Sequence, residues 1–256
     1  FILFSVAFIT FFERKILGYI QDRKSVNLVG IIGMFQPFSD GIKLLFKESS
    51  MLNKFNFMLF MLAPLLNFFI IVMLYMLLPY YSLMDWFNLG LLYFLSLLSL
   101  NVLSVIMIGW SSNSGYSFLS SIRMVAQMIS YEISLMLLLL SLMISGESFS
   151  MMMFMKVQKF VWLMSCYLLV SGLVFIIFLA ESNRVPFDFI EGESELVSGF
   201  NIEYGSGFFT FIFVAEYLSI LMMCYLFILF FFSGNLLCMN FYFKLMLIIY
   251  LYMMIR

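Results

Sequence analysis

Long apolar runs separated by polar segments set the pattern of this chain. Five of these runs are long enough for a membrane span: 58–78, 89–109, 124–144, 160–180 and 208–232. Three of them carry no charged residue, and the other two carry one acid each, Glu132 and Glu216. Roughly 20 apolar residues of helix cross the hydrocarbon core of a bilayer, so we predict five complete transmembrane helices.

Two shorter apolar runs, 1–12 and 241–255, lie at the ends of the chain. Because the first run lacks an initiator Met, we expect it to be the end of a helix whose start is missing. We expect the last run to be a truncated helix as well. The predicted fold class is an all-α, polytopic membrane helix bundle, in which residues 1–256 form a single transmembrane domain that is a fragment.

A third pattern, in residues 33–49, is amphipathic. Pro37 stands at a predicted helix start, and apolar residues at helical spacing follow it, while polar residues fill the other side. The apolar positions are Phe38, Ile42, Leu45 and Phe46, and the polar ones are Ser39, Asp40, Lys43 and Lys47. We expect this helix to lie flat in the membrane interface, either as an anchor or as one wall of a lateral opening for an amphiphile.

Composition agrees with a membrane location and argues against a nucleic-acid partner and against a metal or redox centre within the chain. Charged residues make up 11% of the chain and its mean hydropathy is +1.10, whereas soluble domains hold about 25% charged residues. The net charge of −1 without a free basic cluster argues against a nucleic-acid partner. His is absent and the three cysteines are widely spaced, so we expect no metal, haem or iron-sulfur centre within this chain.

The basic residues are distributed unequally between the two predicted sides of the membrane. If the helices alternate, the segments 13–57, 110–123 and 181–207 share one side with Arg256, and this side holds ten of the 13 Lys and Arg residues. The positive-inside rule places that side in the cytoplasm or its organelle equivalent, the matrix. We therefore predict that the first inward loop, 13–57, and the acidic loop, 181–207, both face inward.

Acidic residues are concentrated in and beside the second of these loops. Six of the 14 acids lie between positions 181 and 203: Glu181, Asp188, Glu191, Glu193, Glu195 and Glu203. Two further acids, Glu132 and Glu216, lie within predicted spans, where a charged group costs at least about 2.5 kcal/mol and therefore faces protein or water. By the helical period, Glu132 points away from the face that Arg123 shares with Gln127.

Two interpretations of these acids are open. Each could make an isolated structural hydrogen bond between helices. Alternatively, because burial disfavours the charged form of a carboxyl group, the set could form a relay that takes up and releases protons near neutral pH. The number of acids near the inward side favours the relay. A stand-alone cation or proton transporter would use the same residues and is the alternative function.

Four motifs together resemble one family. They are FFERKILGYIQDRK, QPFSDGIKLLFKE, GWSSNSGYSFLSSIRMVAQMISYE and AESNRVPFDFIEGESELVSGFNIEY. In this order and spacing they closely resemble the chain 1 family of mitochondrial NADH:ubiquinone oxidoreductase, respiratory complex I. The resemblance covers essentially the whole chain and implies a bundle of eight transmembrane helices, about seven of which would be present here, the first and the last truncated.

The resemblance also implies a function and partners. The chain would be a core membrane subunit of a proton-pumping NADH:ubiquinone reductase in the mitochondrial inner membrane, with its long polar loops in the matrix. It would form the ubiquinone-binding chamber and the acidic path that couples quinone reduction to proton translocation. Ubiquinone would be a substrate, and no cofactor would be bound covalently. The iron-sulfur clusters and FMN would lie in partner subunits, including the iron-sulfur subunit at the quinone site and adjacent membrane-arm subunits.

Individual residues carry over from the motifs to roles that the resemblance implies. The quinone chamber and its entrance would involve Glu13, Arg14, Asp40 and Arg123. The proton relay would consist of Glu132, Glu181, Asp188, Glu191, Glu193, Glu195, Glu203 and Glu216. Arg184 would serve in ion pairing within the acidic loop, and no residue would be catalytic or bind a metal.

Overall fold

The computed structural model describes residues 2–25, 27–49, 55–78, 87–158, 161–188, 199–233 and 238–255. The regular elements in this part of the chain are helices, which confirms the predicted all-α class. The α-helices are α1 (Ile2–Ile20), α2 (Gln36–Phe46), α3 (Phe57–Leu74), α4 (Gly90–Ser111), α5 (Gly115–Gly146), α6 (Met151–Val157), α7 (Leu163–Cys166), α8 (Leu168–Glu181), α9 (Ser206–Phe231) and α10 (Met239–Met254).

Four helices among the described residues are long and apolar enough to cross a membrane. They are α4, α5, α9 and α3, which a short 3-10 helix extends to Leu77. Helix α5 has 32 residues, or about 48 Å at roughly 1.5 Å per residue, so it exceeds the hydrocarbon core of about 30 Å. Its first nine residues were predicted to be loop, and they form the initial turns of the helix instead.

Helix α9 is the centre of the bundle. Most of its residues from Tyr217 onward are buried, and it contacts α1, α2, α3, α6, α7, α8 and α10. A helix that is apolar all round is buried on all sides, and α9 fits this rule. Glu216 therefore lies on the helix that most of the bundle surrounds.

Helix α1 extends eight residues beyond the predicted end of its apolar run. Its buried residues include Val6, Ile9, Glu13 and Ile16, spaced three or four apart as one helical stripe requires. Glu13 occupies a position on this stripe that an apolar residue would normally fill. The polar residues after Phe12 therefore did not mark the end of the helix, because one of them points into the bundle.

The predicted continuous helix at 160–180 is wrong in one respect. The helix is interrupted at Tyr167, whose backbone angles of φ −120° and ψ 50° are not helical, and this residue separates α7 from α8. Hydrogen bonds continue across the break, from the Tyr167 N–H to Leu163 O and from the Ser171 N–H to Tyr167 O, both at 2.9 Å. A change in one residue's backbone angles leaves the apolar pattern unchanged, so the sequence pattern could not reveal it.

Small residues let α4 and α5 approach closely. A Cβ added to Gly109 on α4 would lie 2.2 Å from Oγ and 2.3 Å from Cβ of Ser121 on α5. Ser121 is itself buried, and the Ser117 hydroxyl lies 3.5 Å from the Gly109 carbonyl oxygen. The contact between these helices therefore requires Gly at position 109.

We predict that Gly109→Ala destabilises the protein by roughly 1–3 kcal/mol, the usual cost of overpacking. The change should lower the midpoint of thermal denaturation in detergent. Adding Ser121→Gly should restore much of the loss, because it removes both nearest atoms. Gly172→Ala is the control, since its new methyl group meets no atom within 4 Å. A Gly109→Ala midpoint equal to that of this control would contradict the close contact.

Candidate functional site

A cavity of about 190 Å³ lies between the helices, and four ionisable side chains line it: Glu181, Arg184, Asp188 and Glu216. They come from the end of α8, from the segment that follows it and from α9. Uncharged polar residues complete much of the wall, and these are Asn67, Asn101, Ser182, Asn183, Asn201, Tyr217 and Ser219. The cavity thus brings together polar groups that are far apart in sequence.

Glu181 is the most deeply buried of the cavity acids. It is the last residue of α8, it is 6% exposed, and its Oε2 has no hydrogen-bond partner among the described residues. Glu132 is half-buried on α5 and lies close enough for the two charges to interact. Like charges on two neighbouring carboxyl groups repel each other, so each disfavours ionisation of the other.

Glu216 faces the same cavity from α9. The Asn201 amide donates a hydrogen bond to its Oε1 at 3.4 Å, and the charge of Arg184 acts on it as well. Asn201 is held in place by its neighbours in the short 3-10 helix Gly199–Asn201. The Phe200 carbonyl accepts a bond from the Ser117 hydroxyl at 3.3 Å. The Tyr204 hydroxyl lies 2.7 Å from that of Ser111, at the end of α4.

Arg184 forms a compact cluster with Glu13 and Tyr217, which we call the Arg184 cluster. Arg184 Nη1 donates to Glu13 Oε1 at 2.9 Å, and the Tyr217 hydroxyl donates to Glu13 Oε2 at 2.6 Å. The guanidinium carbon lies 4.8 Å from the centre of the Tyr217 ring, within the range of a cation–π contact. The cluster joins α1, α9 and the segment after α8.

The charge of Arg184 is stable in this environment. Burial lowers the pKa of the guanidinium, but Tyr217 and Glu13 raise it, and the balance lies above the ordinary value. The side chains of Arg184 and Glu13 are 19% and 4% exposed. A positive charge therefore persists at the edge of the cavity, where it compensates Glu13 and acts on Glu216.

A second ion pair joins α1 to α2. Arg14 Nη1 lies 2.7 Å from Asp40 Oδ2, and the Gln36 amide donates to Asp40 Oδ1 at 2.9 Å. The Arg14 and Asp40 side chains are 51% and 37% exposed. Nearby, the Phe38 ring packs against those of Phe4 and Phe8. Glu13 and Arg14 are thus consecutive residues whose side chains pair in different directions, one into the bundle and one toward α2.

The other predicted site residues are more scattered. Arg123 is exposed on α5, and Glu203 is half-buried after the 3-10 helix without lining the cavity. Glu191, Glu193 and Glu195 lie outside the described residues. The face that Arg123 was predicted to share with Gln127 is divided in the structure, because Gln127 is buried.

Sequence reasoning missed several polar residues of the cavity wall. Asn67 and Asn101 lie within long apolar runs, where an unpaired amide is costly. Their positions in the sequence therefore indicated that each has a polar neighbour. The Ser104 hydroxyl on α4 lies 3.1 Å from Oδ1 of Asn67 on α3, so these two helices share a polar contact beside the cavity. Tyr217 carried no comparable signal, since Tyr is common in this chain.

Comparison with known proteins gives consistent matches. A family model described as NADH dehydrogenase matches residues 1–256. The chain is 46% identical to NADH-ubiquinone oxidoreductase chain 1 of Aedes aegypti, covering 100% of this chain and 82% of the relative. It is 48% identical to the protein of that name from Locusta migratoria, with 100% and 81% coverage. The identity is 46% for the Papio hamadryas protein, with 86% and 70% coverage.

We predict that Arg184→Met destabilises the protein far more than Arg14→Met. Removing one partner of a buried ion pair leaves an uncompensated charge and costs about 3–5 kcal/mol, whereas an exposed pair contributes about 0–1 kcal/mol. Denaturation in detergent, compared between the two variants, measures the difference. Equal losses for both variants would show that Arg184 does not compensate a buried charge.

Proposed function

This chain belongs to the NADH dehydrogenase family, and we propose that its cavity couples ubiquinone reduction to proton translocation. It is a membrane subunit of NADH:ubiquinone oxidoreductase, respiratory complex I, and a multi-pass protein of the mitochondrial inner membrane. The other subunits of complex I are therefore its partners. In the proposal, these partners carry the FMN and iron-sulfur clusters that deliver electrons, and the long polar loops of this chain face the matrix.

The observation that carries the proposal is the convergence of Glu181, Asp188, Glu216 and Arg184 on one cavity. A water molecule occupies about 30 Å³ of liquid, so a cavity of about 190 Å³ has room for several. Carboxyl groups linked by water can pass protons to one another. The arrangement suits proton transfer better than isolated structural hydrogen bonds, because the acids share one space.

The small size of a single electrostatic interaction explains why a relay needs several acids. A unit charge about 10 Å away, at an effective dielectric constant of 20, contributes roughly 1.7 kcal/mol, which corresponds to little more than one pKa unit. One such interaction biases a neighbouring group only modestly. A signal that travels through the membrane arm therefore requires closely spaced groups, each of which acts on the next.

In the proposal, the quinone chamber lies on the side of α1 that carries Arg14, away from the cavity. Ubiquinone is an amphiphile, and it would enter beside α2, whose exposed Ile42, Leu45 and Phe46 supply an apolar wall. Glu13, Arg14, Asp40 and Arg123 would line the chamber or the route that leads from it. The support for this part is the Arg14–Asp40 pair, which places charged groups beside that apolar wall.

The mechanism links the chamber to the cavity through α1. Reduction of ubiquinone to ubiquinol takes up two electrons, which a partner subunit supplies, and two protons. A change of charge in the chamber would act on Glu13, and Glu13 is bonded to Arg184, which lines the cavity. The protonation of Glu216 and Glu181 would respond to this change, and Glu132 would extend the response toward adjacent subunits. Glu191, Glu193, Glu195 and Glu203 remain predicted members of the relay.

We predict that Glu181→Gln and Glu216→Gln each lower the ubiquinone reductase rate of the assembled enzyme at least about tenfold. A positioned proton-transfer group typically contributes about 10²–10⁴-fold. NADH oxidation by a hydrophilic artificial acceptor should be unchanged, since it bypasses this chain. Glu147→Gln is the matched control, because Glu147 is an exposed acid at the C-terminal end of α5 and does not line the cavity. Normal ubiquinone reductase and proton-pumping rates in both cavity variants would refute the proposal.

The Arg14–Asp40 pair lies at the proposed entrance for ubiquinone. Asp40→Asn should raise the KM for ubiquinone several-fold with little change in kcat, because it weakens the pair with Arg14 at the proposed route. Asp22→Asn, which changes another exposed acid of the same inward region, should leave KM unaltered. Steady-state kinetics with a short-chain ubiquinone distinguish the two variants. An unchanged KM in Asp40→Asn would remove this residue from the entrance.

A further inference from the structure

Gln127 makes an unusual pair of contacts beside the cavity. Its side chain is 7% exposed on α5, and its Nε2 donates hydrogen bonds to Ala180 O at 2.9 Å and to Phe187 O at 2.8 Å. An amide NH2 group has two donors, so it can hold two acceptors at once. Both acceptors here are backbone carbonyls, one at the end of α8 and one in the segment that follows.

These two carbonyls have a specific place in the sequence. Ala180 immediately precedes Glu181, and Phe187 immediately precedes Asp188. Because the peptide group is planar, fixing the carbonyl of one residue also fixes the N–Cα bond of the next. One side-chain amide therefore holds the backbone that leads into two of the cavity acids.

We propose that Gln127 is a positioning residue that sets the placement of Glu181 and Asp188 relative to each other. This proposal rests on the proposed function, in which these acids exchange protons. Proton transfer requires heavy atoms within hydrogen-bond reach, directly or through one water molecule. A displacement of about 1 Å in such a group can cost on the order of 10²-fold in rate.

Other contacts of α5 support the same role. Tyr131 lies one turn after Gln127, and its ring packs edge-to-face on that of Phe187, with centroids 5.8 Å apart. Glu132, the next residue, interacts with the charge of Glu181. The segment between the two acids is closed by its own bond, from the Phe187 N–H to Arg184 O at 2.8 Å. Helix α5 thus supports the segment at several points, and Gln127 joins its two ends.

The chain contains a matched control. Gln158 is also buried, at 2% exposure, and its Nε2 donates to two backbone carbonyls, Leu229 O at 3.3 Å and Phe230 O at 2.5 Å. These carbonyls lie at the end of α9 and precede no cavity acid. Gln158 Oε1 also accepts a hydrogen bond from the Ser233 N–H. Replacement of Gln158 therefore removes at least as many bonds as replacement of Gln127, without disturbing the acids.

The experiment compares Gln127→Met with Gln158→Met in the assembled complex. Met has a similar length and lacks donors, so both changes should reduce the amount of complex that accumulates. Only Gln127→Met should lower kcat for ubiquinone per assembled complex, by about tenfold or more, with KM unchanged, since the entrance is intact. A structural role alone would leave kcat per assembled complex unaltered.

Gln127→Glu decides the matter where Gln127→Met accumulates too little complex. It keeps the volume and, when protonated, one donor, so we expect a kcat above that of Gln127→Met but more than about twofold below that of the unmodified enzyme. A kcat within twofold of the unmodified enzyme in Gln127→Met or Gln127→Glu, or an equal fall in Gln158→Met, would overturn the proposal. If Glu181→Gln and Glu216→Gln lower the rate while the Gln127 variants do not, this inference fails alone. If the acid variants have no effect, the proposed function fails.

Discussion

The buried ion pair between Arg184 and Glu13 is the constraint on which the rest of the site depends. A carboxylate on the inner face of α1 is tolerable only with a compensating charge and hydrogen bonds, and Arg184 and Tyr217 supply both. Because these residues belong to α1, α9 and the segment after α8, satisfying Glu13 draws three distant parts of the chain together. The cavity lies where they meet, so the interaction that stabilises the bundle also determines which acids share one space.

Glu13 and the next residue of α1, Arg14, contact different parts of the protein. Glu13 faces the cavity side through Arg184, while Arg14 pairs with Asp40 on α2. In the proposed function, quinone chemistry takes place on the Arg14 side and proton transfer on the Arg184 side. Two consecutive residues of a rigid helix are a short connection between them, and it requires no large movement of the backbone. Gln127 has a complementary role, because it holds Glu181 and Asp188 of the cavity in position relative to each other.

The sequence predicted those features that depend on composition and local period. The long apolar runs predicted α3, α4 and α9, and the amphipathic spacing after Pro37 predicted a helix where α2 lies. Glu216 was identified as a site residue because an acid in an apolar run is costly, and Glu181 because it begins the acidic loop and belongs to a motif of the family. The contact of Arg184 with Glu13 was not predicted, because 171 positions separate them and no local pattern links them. Gln127 was placed on one polar face with Arg123, but its partners were not predicted, because helical period alone does not show which neighbour a face meets.

The central claim is that carboxyl groups of the cavity change protonation when ubiquinone is reduced. Infrared difference spectroscopy of the assembled enzyme, reduced minus oxidised, measures this directly through the carbonyl stretch of protonated carboxyl groups. The account predicts a redox-dependent signal in this region that is lost or altered when Glu181 is replaced by Gln. A spectrum with no carboxyl signal, or one that is identical with and without Glu181, would contradict it.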